Sequence, residues 1–246
     1  MSLYVGTSGW AYREWRGDFY PPDLAQSRFL EHYGRALDAC EINATFYRLQ
    51  KDSTFLRWAE ATPETFRFAL KAHRRLTHRR TIALDSEGRS FLDTFLKSAS
   101  TLGPRLGAVL FQFPPYRHRD DAALNSLLAA LPPGTPYAFE FRHESWTDPA
   151  IGAAIAAVGG TLCISDTQGV VPASLPPGPI GYVRLRTERY DDQTREQWWR
   201  LLSAESAQRH VYAFAKHEGI PPGDPYGGVG LASWMAAQQR AEGRVP

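Results

Sequence analysis

The chain has 246 residues, 43% of them hydrophobic and 22% charged, with a formal net charge of +2. That length buries a core in one large α/β domain or two smaller ones, and the balance excludes a disordered chain and gives no overall polycationic signature of a nucleic-acid partner. No apolar run reaches the length of a membrane span, MSLYVGTSGW lacks a basic segment followed by an apolar one, and Cys40 and Cys163 each lie in apolar runs as buried thiols, so a cytoplasmic protein without disulfides is expected.

Along the chain, β-rich runs alternate with segments of helical period. Residues 3–8 read as a first strand, followed by a helix over 24–39 in which Leu24, Phe29, Leu30, Tyr33 and Leu37 recur at close to the helical spacing. Strands are predicted over 40–45, 67–72 and 106–113, with helices over 55–61 and 91–102 between them. A helix at 122–131, a strand at 137–142, a helix at 151–158 and a strand at 161–166 follow. The last elements are strands at 180–186 and 210–216 and helices at 197–202 and 231–239. Eight strands alternating with helices predict parallel βαβ units with right-handed crossovers, and about 250 residues suit a (β/α)8 barrel. An open doubly wound sheet is the alternative, but no glycine fingerprint follows the first strand. No linker, repeat or low-complexity tract divides the chain, so an α/β fold with a single-domain TIM-like (β/α)8 barrel over 1–246 is expected.

Strand side chains alternate between two faces, and this separates the predicted strands into two rows. The apolar row holds Ile42 and Ala44, Phe68 and Leu70, Phe111 and Phe113, Phe139 and Phe141, and Val183 and Leu185. Toward the strand C-termini the other row is polar: Ser8, Glu41, Asn43, Lys71, Gln112, Glu140, Arg142, Asp166, Arg184, Arg186 and Lys216. Charge is costly to bury unless paired or ligand-bound, and barrel active sites lie at the C-terminal mouth, so this ring is the candidate site. The alternative is a set of ion pairs that closes the barrel, such as Glu140 with Arg142 or Lys71.

The loops on the same face are basic and aromatic. KAHRRLTHRR follows the third strand, PPYRHRDD the fourth, and His143 and Trp146 the fifth, while Trp10, Tyr12 and Trp15 follow the first and Phe46 and Tyr47 the second. Such a mouth suits a small anionic, phosphate-containing ligand or single-stranded nucleic acid. Solvated arginines and a packed aromatic lid are the competing explanation. A glycine-rich turn over 223–230 precedes the last helix and is either a further anion site or a plain loop. No HExxH, CxxC or GxSxG pattern occurs, and no spacing assigns a metal or a cofactor.

The blocks GTSGWAYREWRGDFYPPDL, EINATFYRL, FRFALKAHRRLTH, GAVLFQFPP, FEFRHESW and CISDT together resemble the domain of unknown function 72 family, the YecE-like proteins, from Gly6 to about Thr167. The resemblance implies a TIM-like barrel of no established activity, with a shared pocket formed by Gly6, Ser8, Trp10, Glu41, Asn43, Phe46, Tyr47, Lys71, Gln112, Glu140, Arg142, Trp146 and Asp166. The last third departs from the family pattern. Arg184-Leu185-Arg186-Thr187 stands where the family has Arg-x-His-Gly, and Phe214-Ala215-Lys216-His217 where it has a Phe-Asn-Asn-His type run. Both changes add fixed positive charge and favour an anionic ligand.

Two functional readings follow. One is a hydrolase or lyase for a phosphate-containing or nucleic-acid substrate, with Glu140 as general base, Lys71, Arg142 and Arg184 stabilising charge, and Glu41 and Asp166 as further catalytic carboxylates. Ser8, Trp10, Asn43, Tyr47, Gln112, His143, Trp146, Arg186 and Lys216 would then bind substrate. The other is a non-catalytic nucleotide or nucleic-acid binder that uses the same mouth. A glycosidase working through a carboxylate pair is a weaker third.

Overall fold

A computed structural model of the chain describes residues 1–243. The strands are β1 (Leu3–Thr7), β2 (Ala39–Ile42), β3 (Arg67–Lys71), β4 (Leu106–Phe113), β5 (Tyr137–Phe141), β6 (Gly160–Leu162), β7 (Ile164–Asp166), β8 (Ile180–Leu185) and β9 (His210–Ala215). The helices are α1 (Phe29–Ala36), α2 (Ala44–Tyr47), α3 (Asp52–Glu60), α4 (Arg74–Thr77), α5 (Ser86–Ala99), α6 (Asp121–Ala130), α7 (Pro149–Ala157), α8 (Asp192–Ser206) and α9 (Gly228–Ala241).

All strand pairs are parallel, in the order β6-β5-β4-β3-β2-β1-β9-β8-β7. β6 and β7 are the two halves of the predicted sixth strand, parted at Cys163, so the ends of the sheet meet and the sheet closes as a TIM-like barrel. One half pairs with β5 and the other with β8, which is why a single strand in sequence becomes two. The Thr161 hydroxyl bridges the seam by donating to the Ile180 carbonyl at 3.0 Å.

The two rows separate as strand alternation requires. Ile42, Phe68, Leu70, Phe111, Phe113, Phe139, Val183 and Leu185 pack outward with Trp198, Leu202, Leu92 and Leu127 of the helices. Ala44 is the exception. The second strand stops at Ile42, and Ala44 opens α2 in an exposed position. The barrel interior is a separate cluster. Alanines Ala39, Ala69, Ala108 and Ala138 on β2–β5 face the bulky Tyr4, Tyr182, Tyr212 and Phe214 on β1, β8 and β9. Small residues opposite large ones fill the cross-section, so the barrel is packed below its mouth and only the C-terminal end stays polar. Gly6 permits the tight β1–β2 approach, since a Cβ there would lie 1.7 Å from the Ala39 carbonyl oxygen.

Helix starts follow local chemistry. The carboxylates of Asp85, Asp120, Asp148 and Asp191 accept backbone N–H groups at the first turns of α5, α6, α7 and α8.

Candidate functional site

The polar end of the barrel is organised around Arg184. Glu41, on β2, is wholly buried. Its Oε1 accepts from Ser8 Oγ at 2.8 Å, Arg184 Nη2 at 2.9 Å and Arg186 Nη2 at 2.9 Å. Its Oε2 accepts from the Tyr182 hydroxyl and from Arg184 Nε, each at 2.9 Å. Arg184 thus grips Glu41 with a two-nitrogen fork and turns its third nitrogen, Nη1, to Glu140 Oε2 at 2.6 Å. Gln112 Nε2 donates to the same oxygen at 2.8 Å, and Arg142 Nε to Glu140 Oε1 at 3.0 Å.

These contacts set the charge states. Burial alone would raise both carboxyl pKa values, but the Arg184 guanidinium, joined by Arg186 at Glu41 and by Gln112 and Arg142 at Glu140, overrides it and holds both below the usual carboxylate range. Burial lowers Arg184, yet Glu41 and Glu140 together hold it above the ordinary guanidinium value. Arg186 is lowered, because burial and the nearby Arg184 outweigh Glu41. Lys71 is pushed down to about 8 by burial and then by Arg184. The two carboxylates are therefore fixed anions that orient guanidinium groups.

Five inward cations, Lys71, Arg142, Arg184, Arg186 and Lys216, share the mouth with Glu41 and Glu140 inside and with Glu188 and Glu218 at the rim. Above them opens a cavity of about 610 Å³ lined by Glu140, Arg142, Cys163, Ser165, Arg186, Lys216 and the loop residues Pro115, Phe141, Thr167 and Glu218. The Arg186 Nε, which has almost no accessible surface, has no hydrogen-bond partner among the described residues. Lys216 Nζ lies 3.6 Å from the exposed Glu188 carboxylate.

Several predicted site residues do other work. Asp166 faces outward, toward α8. One carboxylate oxygen accepts the backbone N–H groups of Gln168, Gly169 and Val170, and the other accepts the Tyr190 hydroxyl at 2.9 Å and Trp198 Nε1 at 3.1 Å. The structure therefore corrects its assignment to the mouth. It shares its parity with Leu162 and Ile164, which pack in the outer layer, and that pattern was present in the sequence. Trp146 is buried, stacked on Phe141 at 4.1 Å and bonded through Nε1 to the Arg117 carbonyl at 2.8 Å. Trp10 packs edge-on against Trp58 at 5.2 Å. Trp146 thus belongs to a packed lid, and Trp10 is half-buried at its edge. His143 caps the turn at Ser145 and lies 3.8 Å from the His118 ring. Tyr47 is 67% exposed, outside the cavity lining, and Asn43 stands half-buried at the start of α2.

The loop arginines are largely engaged locally. Arg79 pairs with Asp85, Arg75 with Glu87, and Arg119 with Asp121 and Asp148, while Arg117 donates to the carbonyls of Arg79 and Arg80. The turn over 223–230 is closed on itself: a Cβ at Gly230 would lie 2.0 Å from the Asp224 carbonyl oxygen, and Asp224 itself pairs with Arg189. That glycine serves close packing. Tyr182, Cys163 and Ser165 were missed as site residues, although Tyr182 shares the inward parity of Arg184 and Arg186. Among the described residues, no three His, Cys, Asp or Glu side chains come together as a metal site, and no helix is long and apolar enough to cross a membrane.

Fold and site together define a (β/α) barrel with a guanidinium-rich, cation-surplus mouth. A family model described as "Protein of unknown function DUF72" matches residues 4–221, and the chain belongs to that family. It is 33% identical over 153 residues to the UPF0759 protein YunF of Bacillus subtilis, a match covering 60% of this chain and 53% of that protein. It is 30% identical over 145 residues to the UPF0759 protein YecE of Escherichia coli K12, covering 58% and 50%. The matched stretch thus spans about half the length of these curated relatives. A DUF72 family protein from Thermotoga maritima superposes with a TM-score of 0.75 at 21% identity, over 98% of this chain and 100% of that one. D-psicose 3-epimerase with D-tagatose, from Clostridium cellulolyticum, gives a TM-score of 0.54 at 11% identity over 96% and 90% of the two chains, a likeness of fold alone.

Proposed function

We propose that the barrel mouth binds a small phosphate-bearing anion and serves as the site of an enzyme acting on it. The observation that carries this reading is the open cavity bounded by Arg142, Arg186 and Lys216, in which cations outnumber carboxylates. Phosphate would neutralise the surplus and accept hydrogen bonds from the Arg142, Arg186 and Lys216 groups that line the cavity. Glu140 is a poor general base here, because three donors already occupy its oxygens. A sugar-cleaving pair is disfavoured too: that chemistry requires one protonated carboxyl, and both Glu41 and Glu140 are held ionised.

A longer polyanion is the second reading. The exposed Tyr116 beside Arg80, Arg117 and Arg119, lining a groove of about 280 Å³, favours single-stranded nucleic acid. The local pairing of the arginines noted above ranks it below the small anion.

Thermal unfolding with inorganic phosphate, pyrophosphate and a short oligonucleotide, at low and high ionic strength, tests both. At a hundred times its Kd a ligand adds about 2.7 kcal/mol, worth roughly 5–10 °C for a chain of this size. Arg186→Met should abolish the gain. Stabilisation by the oligonucleotide alone would favour the second reading, and no stabilisation by any anion at low salt would remove both.

A further inference from the structure

Arginine carries nearly all the positive charge of this chain: of 28 lysines and arginines, only Lys51, Lys71, Lys97 and Lys216 are lysines. Two of these four stand at inward positions where β3 and β9 reach the mouth. A guanidinium stays protonated at any physiological pH, whereas an amine can lose its proton and then holds a nucleophilic lone pair. Lysine at such a position therefore permits a chemistry that arginine would forbid.

Lys71 and Lys216 differ in their partners. Lys216 faces Glu188, as noted above. Among the described residues no carboxylate lies within ion-pairing distance of Lys71, and its Nζ sits 4.3 Å from the centroid of the Phe46 ring. The charged groups around it are Arg184 from β8, Glu41 from β2, and Arg142 and Glu140 from β5, with His78 following α4. Burial, Arg184 and Arg142 press Lys71 toward the neutral amine, while Glu41, Glu140 and the Phe46 ring face act the other way and only partly offset them. Its pKa of about 8 follows from burial first and Arg184 second.

We propose that Lys71 is a covalent catalyst that forms a Schiff base with an aldehyde or ketone bearing a phosphate. The lone pair of the neutral Nζ adds to the carbonyl carbon, forming a C–N bond while the C=O π pair moves to oxygen and takes a proton. The carbinolamine then loses the nitrogen proton and its hydroxyl as water, leaving a C=N bond. Amine and carbonyl thus become imine and water with no change of oxidation state. The imine, once protonated, withdraws electrons from the adjacent carbon, as a lyase or isomerase requires. The phosphate preference rests on the anion-binding reading of the mouth.

Reductive trapping tests the amine and the anion separately. The purified protein is incubated with cyanoborohydride and either glyceraldehyde 3-phosphate or glyceraldehyde, and each modified amine is located by peptide mass spectrometry. At pH 7 an amine of pKa about 8 is roughly 300 times more deprotonated than an ordinary lysine. Lys71 should therefore be modified at least tenfold faster than Lys51 and Lys97, faster with the phosphorylated aldehyde, and at a rate that climbs through about pH 8. In Lys71→Arg that site should be silent while phosphate still raises the melting temperature. Should Lys71 react no faster than Lys51 and Lys97 while phosphate stabilises the protein, the Schiff-base proposal is overturned and the anion reading stands. Equal modification of Lys71 by both aldehydes, with no stabilisation by phosphate, supports the amine chemistry and overturns the anion reading.

Discussion

Glu41→Gln tests the centre of the site most directly. The substitution keeps the shape and removes the charge. Four residues donate six hydrogen bonds to the wild-type carboxylate: Ser8, Tyr182, Arg184 and Arg186. A glutamine offers one acceptor oxygen and turns an NH2 donor toward donors, leaving Arg184 with Glu140 alone. Breaking a buried pair this way costs about 3–5 kcal/mol. At roughly 2–4 °C per kcal/mol for a chain of this size, the melting temperature should fall by about 10 °C. Circular dichroism across pH supplies a second readout. The folded-state pKa of Glu41 lies below the unfolded value, so its stabilising effect is present above the unfolded carboxyl pKa and is lost as pH falls toward the folded one. The variant should therefore lose less stability than wild type on acidification below about pH 4.5. A fall of less than about 3 °C, or an unchanged acid slope, would refute the anchoring role.

Lys71→Met should behave oppositely. The folded-state pKa of about 8 lies below the unfolded lysine value, so the buried charge destabilises the protein below pH 8, and the penalty fades as pH rises toward the unfolded pKa. The variant should gain about 1–2 kcal/mol at pH 7 and nothing at high pH, read from denaturant unfolding at both pH values; a loss at pH 7 would contradict an unpaired ammonium. Asp166→Asn should cost about 2–4 kcal/mol through its Tyr190, Trp198 and backbone partners while leaving phosphate stabilisation intact. Loss of phosphate stabilisation without loss of stability would return Asp166 to the mouth.

The architecture was legible in the chain because strand alternation is local. Phe111, Phe113 and Phe139 set the outward face, and Gln112 and Glu140 then had to point inward. The same rule applied to Leu162 and Ile164 places Asp166 outward, so that correction follows from information already present. The break at Cys163 was not legible, because it comes from one segment dividing its pairing between β5 and β8. Nor were the fates of the aromatic and basic loops. Whether Trp146 stacks on Phe141 or on a ligand, and whether Arg119 meets Asp148 or a phosphate, depends on distances the spacing of residues does not encode.

The sequence by itself determined which side chains enter the barrel mouth, since a period of two fixes direction without reference to neighbours. Only the tertiary structure decided what their charges do. Glu41 and Arg184 lie 143 positions apart, and closure of the sheet alone brings them to 2.9 Å. That pairing occupies Glu41, Glu140 and Arg184 with one another, and it leaves Arg142, Arg186 and Lys216 on the cavity wall and Lys71 without a carboxylate partner among the described residues.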